Sequence, residues 1–187
     1  MAHNQKFQER PRIQRPGARI AAVVSRFHDD LTQPMLASAR RELRASGVSD
    51  EDFRVVWVPG SFELPLVARA LARRPDVDAV LCLGIILQGE TDHDIYVAEG
   101  AIQGLMQATL EIGKPLLLGI LTCATLEQAR ARALPPEMGG TEDKGREVAR
   151  SAIEMIDALD QASARARGRG PDRAPARKTA RKAARKA

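Results

Sequence analysis

Asp78–Gly84, DAVLCLG, decides the reading of this chain, together with the loop that follows it, Ile85–His93, IILQGETDH. Five consecutive apolar residues, Ala79 to Leu83, leave no polar face. A strand half in water alternates apolar and polar side chains. An unbroken run therefore marks a strand covered on both faces, as in a parallel sheet. Three further runs have this character: Ile20–Ser25 (IAAVVS), Phe53–Val58 (FRVVWV) and Pro115–Leu121 (PLLLGIL). The segments between them repeat apolar residues with helical spacing. Met35–Ser46 places Leu36, Ala39 and Leu43 on one side, with Pro34 in the first turn and Gly47 as a stop. Glu63–Arg74 does the same with Leu64, Val67, Ala68 and Leu71, and Ile95–Ile112 with Ala98, Ala101, Ile102 and Leu105. After the fourth run come a short helix, Leu126–Ala133, the loop LPPEMGGTED, and a longer helix, Lys144–Leu159. Strand–helix alternation with right-handed crossovers predicts an α/β three-layer sandwich, a four-stranded parallel sheet flanked by helices.

Length and composition agree with one such domain. The chain has 187 residues, 44% of them apolar and 28% charged. Aromatics make up only 3%, so the core must be built from Val, Leu, Ile and Ala, and an aromatic near a site stands out. No apolar run reaches the roughly 18–20 residues that span a bilayer. The N-terminal MAHNQKFQERPRIQRPG has no apolar segment of the kind a secretory signal needs. Cys82 and Cys123 both lie in apolar stretches, which suits reduced thiols in a cytoplasmic protein and supplies neither a disulfide framework nor a metal site. The net charge of +5 is unevenly distributed. Residues 1–19 hold five basic groups against one acid, and residues 161–187 hold ten against one. The body between them is acidic. The expected organisation is a flexible basic segment over residues 1–18, one acidic α/β domain over 19–160 and a disordered basic tail over 161–187. That tail has no large apolar residue with which to offset its ordering entropy.

In open α/β sheets ligands bind at the carboxyl ends of the strands. The strands here lead into Arg26-Phe27-His28, Pro59-Gly60-Ser61-Phe62-Glu63, the Ile85–His93 loop and Thr122-Cys123. Two of the four Phe and two of the three His fall in these turns. Gly89-Glu90-Thr91-Asp92-His93 reads in two ways. It is either a phosphate pocket at a helix N-terminus with His93 beside it, or an ordinary cap with Thr91 or Asp92 as N-cap. His93 brings an imidazole, the side chain that most often transfers protons. Phe27 and Phe62 suit stacking on a flat heterocycle or plain core packing. Glu63 suits hydrogen bonding to a ligand or a favourable place at a helix start. Arg132 and Lys144 sit near helix ends, where Arg132 satisfies the dipole and Lys144 mildly opposes it. The chain has no P-loop, dinucleotide-binding glycine fingerprint, zinc spacing or Gly-x-Ser-x-Gly elbow.

Taken together, VPGSFELP (Val58–Pro65), LGIILQGETDH (Leu83–His93), GILTCATLEQARARA (Gly119–Ala133) and DKG (Asp143–Gly145) resemble the lumazine synthase family. The resemblance runs from about Arg19 to Leu159 and implies a flavodoxin-like fold. It implies condensation of 5-amino-6-(D-ribitylamino)uracil with 3,4-dihydroxy-2-butanone 4-phosphate in riboflavin biosynthesis, a transferase reaction without metal or organic cofactor. Carried over by position, Phe27, Ser61, Phe62, Glu63, Ile85, Ile86, Leu87 and Leu118 would bind the pyrimidine. Glu90, Thr91, Arg132 and Lys144 would bind the phosphate ketone, and His93 would shuttle protons. The family further implies pentamers, free, paired or in a 60-subunit icosahedral shell. The sites lie between subunits, Leu118 and Arg132 coming from the neighbour, and association with riboflavin synthase is a partner the pathway admits. Several positions depart from the family pattern. Leu118 stands for the usual Phe, Gln88 for a frequent Arg, His28 for a frequent Asn and Asp143 for the usual Asn, while Asp94-Ile95 replaces an aromatic-acidic pair.

Two other classes compete with the enzyme. One is a shell or binding protein of the same scaffold, motivated by Leu118 and Gln88. The other is nucleic-acid contact through the Lys/Arg-rich tail, which would be salt-sensitive and sequence-blind because the tail has no aromatic side chain. A solvated, solubilising tail is the simpler reading, and no membrane contact is expected.

Overall fold

The computed structural model of the chain describes residues 11–167. Its elements are β1 (Ile20–Ser25), α1 (Asp29–Ala45), β2 (Phe53–Val58), α2 (Leu64–Ala72), β3 (Ala79–Leu87), α3 (His93–Ile112), β4 (Leu116–Cys123), α4 (Leu126–Ala133) and α5 (Lys144–Arg167). Single 3-10 turns lie at Ser61–Glu63 and Pro136–Met138. The four strands form one parallel sheet in the order β2-β1-β3-β4. All six residues of β1 are buried, as are the first eight of β3, because helices cover both faces. Ile20, Ala22, Val24, Leu81, Leu83 and Ile85 pack with α1, α4 and α5. Ala21, Val23, Val80, Cys82 and Ile86 pack with α2 and α3. The expected three-layer α/β sandwich is what forms.

Some element ends differ from expectation for physical reasons. β3 runs on to Leu87 because Ile85, Ile86 and Leu87 pair with Leu121, Thr122 and Cys123 of β4, so these three are strand rather than loop. α1 begins at Asp29, with Asp29 and Asp30 favoured in its first turn by the helix dipole, and Pro34 lies inside the helix. α5 continues to Arg167 because Ala and Arg favour helix without needing burial. The expected tail boundary at residue 161 therefore falls within a helix, and residues 168–187 lie outside those described. The expected loose segment over 1–18 is pinned over its described part, residues 11–18. Arg12 donates twice to the buried Glu42, at 3.0 and 3.1 Å, Ile13 packs on the core, and the Arg15 N–H donates to the Ser46 carbonyl at 2.7 Å.

The DKG segment docks α5 on α1. The Asp143 carboxylate accepts from Ser38 Oγ at 2.5 Å and from the Arg146 N–H at 3.0 Å. A Cβ at Gly145 would lie 2.0 Å from the Met35 carbonyl oxygen, so only glycine allows the two helices to approach this closely. Gly145→Ala is therefore expected to cost about 1–3 kcal/mol or more in denaturant unfolding. At the other end of the sheet, Asp78 accepts from the backbone N–H of Arg19 at 2.8 Å and from its guanidinium at 2.9 Å, tying the start of β1 to that of β3. Partial burial pulls the Asp78 pKa upward, but the Arg19 bonds outweigh it and hold the carboxyl below its ordinary range. A carboxylate depressed in the folded state stabilises above its unfolded pKa and loses that stabilisation as pH falls through the folded value. Asp78→Asn should lower Tm at pH 7, and the difference should begin to shrink below about pH 4 and narrow further as the pH falls toward the depressed folded value.

Candidate active site at the carboxyl rim of the sheet

The turns after β1, β2 and β3 meet at one rim. The Arg26 N–H donates to the Val58 carbonyl at 2.9 Å and the Phe27 N–H to the Pro59 carbonyl at 3.1 Å, which sets Phe27 beside the Gly60 turn. His28 follows at φ 61°, ψ 47°, in the left-handed region that non-glycine residues rarely occupy. This kink starts α1 and brings the His28 ring edge-on to Phe27, centroids 4.6 Å apart. Thr32 Oγ1 donates to the Ser25 carbonyl at 2.8 Å and fixes the far side of the turn.

The second turn is held by its own glutamate. Glu63 Oε2 accepts from the Gly60 N–H at 2.9 Å, closing the 3-10 turn Ser61–Glu63. Ser61 is buried and its Oγ points along β3, 3.5 Å from the Ile85 carbonyl. It fits only because Gly84 has no side chain, since a Cβ there would lie 2.5 Å from Ser61 Oγ. With Ser61 held inward, Phe62 is turned out and is 59% exposed.

These turns and the first turn of α3 enclose a cavity of about 620 Å³, an ordinary size for a small-molecule site. Phe27, Ser61, Phe62 and Glu63 line one side, Ile85, Ile86 and Leu87 the floor, and Thr91 and His93 the α3 rim. Nine of the thirteen sequence-predicted site residues thus converge. Glu90 lies on the exposed loop next to Thr91 but does not line the cavity. Leu118, Arg132 and Lys144 stand apart from it within this one chain. Leu118 is on the edge strand β4 and 48% exposed. Arg132, on α4, donates to the Gln128 carbonyl at 3.1 Å. Its charge reaches the Cys123 thiol, whose pKa burial raises and Arg132 partly lowers. Lys144 Nζ donates to both carboxylate oxygens of Glu147, at 2.8 and 2.9 Å.

Both readings of the Gly89–His93 segment bear on the start of α3. Asp92 is the N-cap of α3, yet its side chain makes no capping hydrogen bond. In the first turn the Ile95 N–H donates to the Asp92 carbonyl at 3.1 Å, and no side chain of the N-cap accepts from the turn, so the helix terminus keeps a place for an anion beside His93. The rim combines exposed aromatic surface, an imidazole and an anion-friendly helix terminus. That set can hold a flat ring, bind a phosphate and move a proton. Among the described residues no group of three or more His, Cys, Asp or Glu is placed to hold a metal ion. No described helix is long and apolar enough to cross a membrane.

Sequence reasoning passes over Tyr96, the only tyrosine of the chain, which lines the cavity with Val97. Its spacing of three from His93 on a helix carries the signal, since residues so spaced share a face. His28→Val should destabilise the fold by about 1–2 kcal/mol in denaturant unfolding, because a β-branched residue resists the left-handed region. His28→Asn should leave stability unchanged within about 0.5 kcal/mol, since Asn tolerates that region.

Comparison with known proteins gives this site a family. A family model described as 6,7-dimethyl-8-ribityllumazine synthase matches residues 17–160. A curated protein named 6,7-dimethyl-8-ribityllumazine synthase from Protochlamydia amoebophila is 44% identical over 146 residues, covering 78% of this chain and 83% of that one. Its namesake from Thermus thermophilus is 45% identical over 153 residues, 82% of this chain and 95% of its own. Another from Salinibacter ruber is 45% identical over 143 residues, 76% and 89% of the two chains. With matched segments that take in every turn of the cavity, the chain belongs to the 6,7-dimethyl-8-ribityllumazine synthase family.

Proposed function

We propose that this protein condenses 5-amino-6-(D-ribitylamino)uracil with 3,4-dihydroxy-2-butanone 4-phosphate, releasing phosphate and water, as a cytoplasmic enzyme of riboflavin biosynthesis that uses no metal or organic cofactor. One observation carries the reading: nine of the family-matched positions, from four separate segments, line a single cavity with His93 at its mouth. Phe27 stacks on the pyrimidine, while Phe62 and the Ser61–Glu63 turn bound its ring and ribityl chain. Backbone groups of Ile85, Ile86 and Leu87 meet the uracil edge. Glu90 and Thr91, through backbone N–H groups and the Thr91 hydroxyl, receive the phosphate ketone at the α3 terminus. The amine adds to the ketone carbonyl and water leaves to give the imine. His93 carries protons between these centres and assists phosphate departure before the second nitrogen closes the ring with loss of water. Holding both substrates in register supplies much of the rate.

Arg132 and Leu118 complete the site from a neighbouring subunit, with Lys144 near the phosphate. The surface supports such an assembly. Leu118 is exposed on the edge strand, and α3, on the same side of the sheet, exposes Ile102, Met106 and Leu110. Apolar area of this kind is covered in a homo-oligomer. A pentamer or a multiple of it is the assembly we infer, and analytical ultracentrifugation of the purified chain should show one of these species and no monomer. The basic tail takes no part in catalysis in this reading.

His93→Ala should lower kcat about 10²–10³-fold while calorimetry shows pyrimidine binding little changed. Arg132→Ala should raise the KM of the phosphate ketone about tenfold or more and leave that of the pyrimidine near its parent value. Background turnover by the parent chain with tight pyrimidine binding would instead identify a binding shell.

A further inference from the structure

Gly100 is the eighth of the twenty residues of α3, at an exposed position. Glycine is the least favourable helix residue after proline, and a surface helix position ordinarily carries a good helix former. The backbone gives no reason for it. Gly100 is not among the described residues with positive φ, which are Gly17, Gly47, Gly113, Gly139 and His28. The reason is steric. A Cβ at position 100 would lie 2.8 Å from Phe62 Cε2, 3.4 Å from Cδ2 and 3.8 Å from Cζ. The Phe62 ring edge therefore rests on the α3 backbone in the space a side chain would occupy. One turn further along, Gly104 receives Pro65 in the same way, its Cβ position 3.0 Å from the Pro65 Cβ.

We propose that Gly100 is a positioning residue for substrate binding: by leaving this space empty it seats the Phe62 ring against α3 and so sets the width of the cavity that receives the flat heterocycle. The inference rests on the pyrimidine reading of that cavity given above. Phe62 is mostly exposed, so no surrounding core holds its ring. Glu63 fixes the backbone of the turn through Gly60, and the contact with Gly100 fixes the ring. The far end of an exposed ring yields easily to an added methyl group. The fold consequently tolerates alanine at position 100, and the cavity wall is what moves.

This separates stability from binding, which a merely structural glycine would not do. In the full-length protein, Gly100→Ala should raise Tm by a degree or more through helix propensity. The same variant should raise the KM of the pyrimidine about three- to tenfold, with kcat within about twofold and the KM of the phosphate ketone unchanged. Calorimetric titration with the pyrimidine should show the same loss of affinity. In a Phe62→Ala background the glycine substitution should leave pyrimidine affinity unchanged within about twofold, because the ring it displaces is gone. Parent-like pyrimidine affinity in Gly100→Ala overturns the proposal, as does an equal loss in the Phe62→Ala background or a fall in Tm. A parent chain that neither turns over nor binds the pyrimidine ends the reading on which the proposal rests. An active parent with an indifferent Gly100→Ala variant ends the proposal alone.

Discussion

β1 and β3 are buried on both faces, and everything else in this chain follows from keeping them so. Their side chains alternate between two apolar layers, one against α1, α4 and α5 and the other against α2 and α3. Because all four strands are parallel, each must return by a crossover, and all their carboxyl ends reach the same rim. Backbone polar groups at the sheet centre are consumed by the ladder, so chemistry is confined to the turns that leave it. The cavity is where three of those turns and the first turn of α3 fail to fill space.

Close approach is the second constraint. The Ser61–Glu63 turn is wedged between β3 and α3, and glycine makes room for it on each side, Gly84 for Ser61 and Gly100 for Phe62. Glu63 locks the turn from within through the Gly60 N–H. A carboxylate engaged in this way has one oxygen committed to the fold, and under the proposed function the same side chain would also meet the ligand. The same economy appears in the DKG segment. Asp143 and Gly145 dock α5 on α1, while Lys144 between them holds Glu147 on the surface of the same helix.

Much of the cavity lining was legible because its residues are conspicuous in composition. Phe27, Phe62 and His93 are rare residue types placed at strand ends, and a parallel-sheet reading already says that such ends converge. Glu90, Leu118, Arg132 and Lys144 are different. A single chain does not bring them to the cavity, and their assignment depends on resemblance and on assembly. Tyr96 escaped notice because a lone tyrosine on a helix carries no motif, and only the position of His93 one turn earlier gives it meaning. Gly84 and Gly100 escaped for a deeper reason. Their role is the space they leave, which no pattern of present side chains records.

The sequence by itself determined the strands, the layers and the order of the turns, because burial on two faces leaves unbroken apolar runs and helices leave their own period. β1, β2 and α4 could be read to the residue. Tertiary structure alone decided where β3 ends, since Ile85–Leu87 become strand only by pairing with Leu121–Cys123 more than thirty residues away. It alone placed the start of α1, through a left-handed His28, and the anchoring of residues 11–18, through the buried Glu42. These features depend on contacts between distant segments, and the distance of closest approach between two backbones is fixed by the packed whole rather than by the residues of either one.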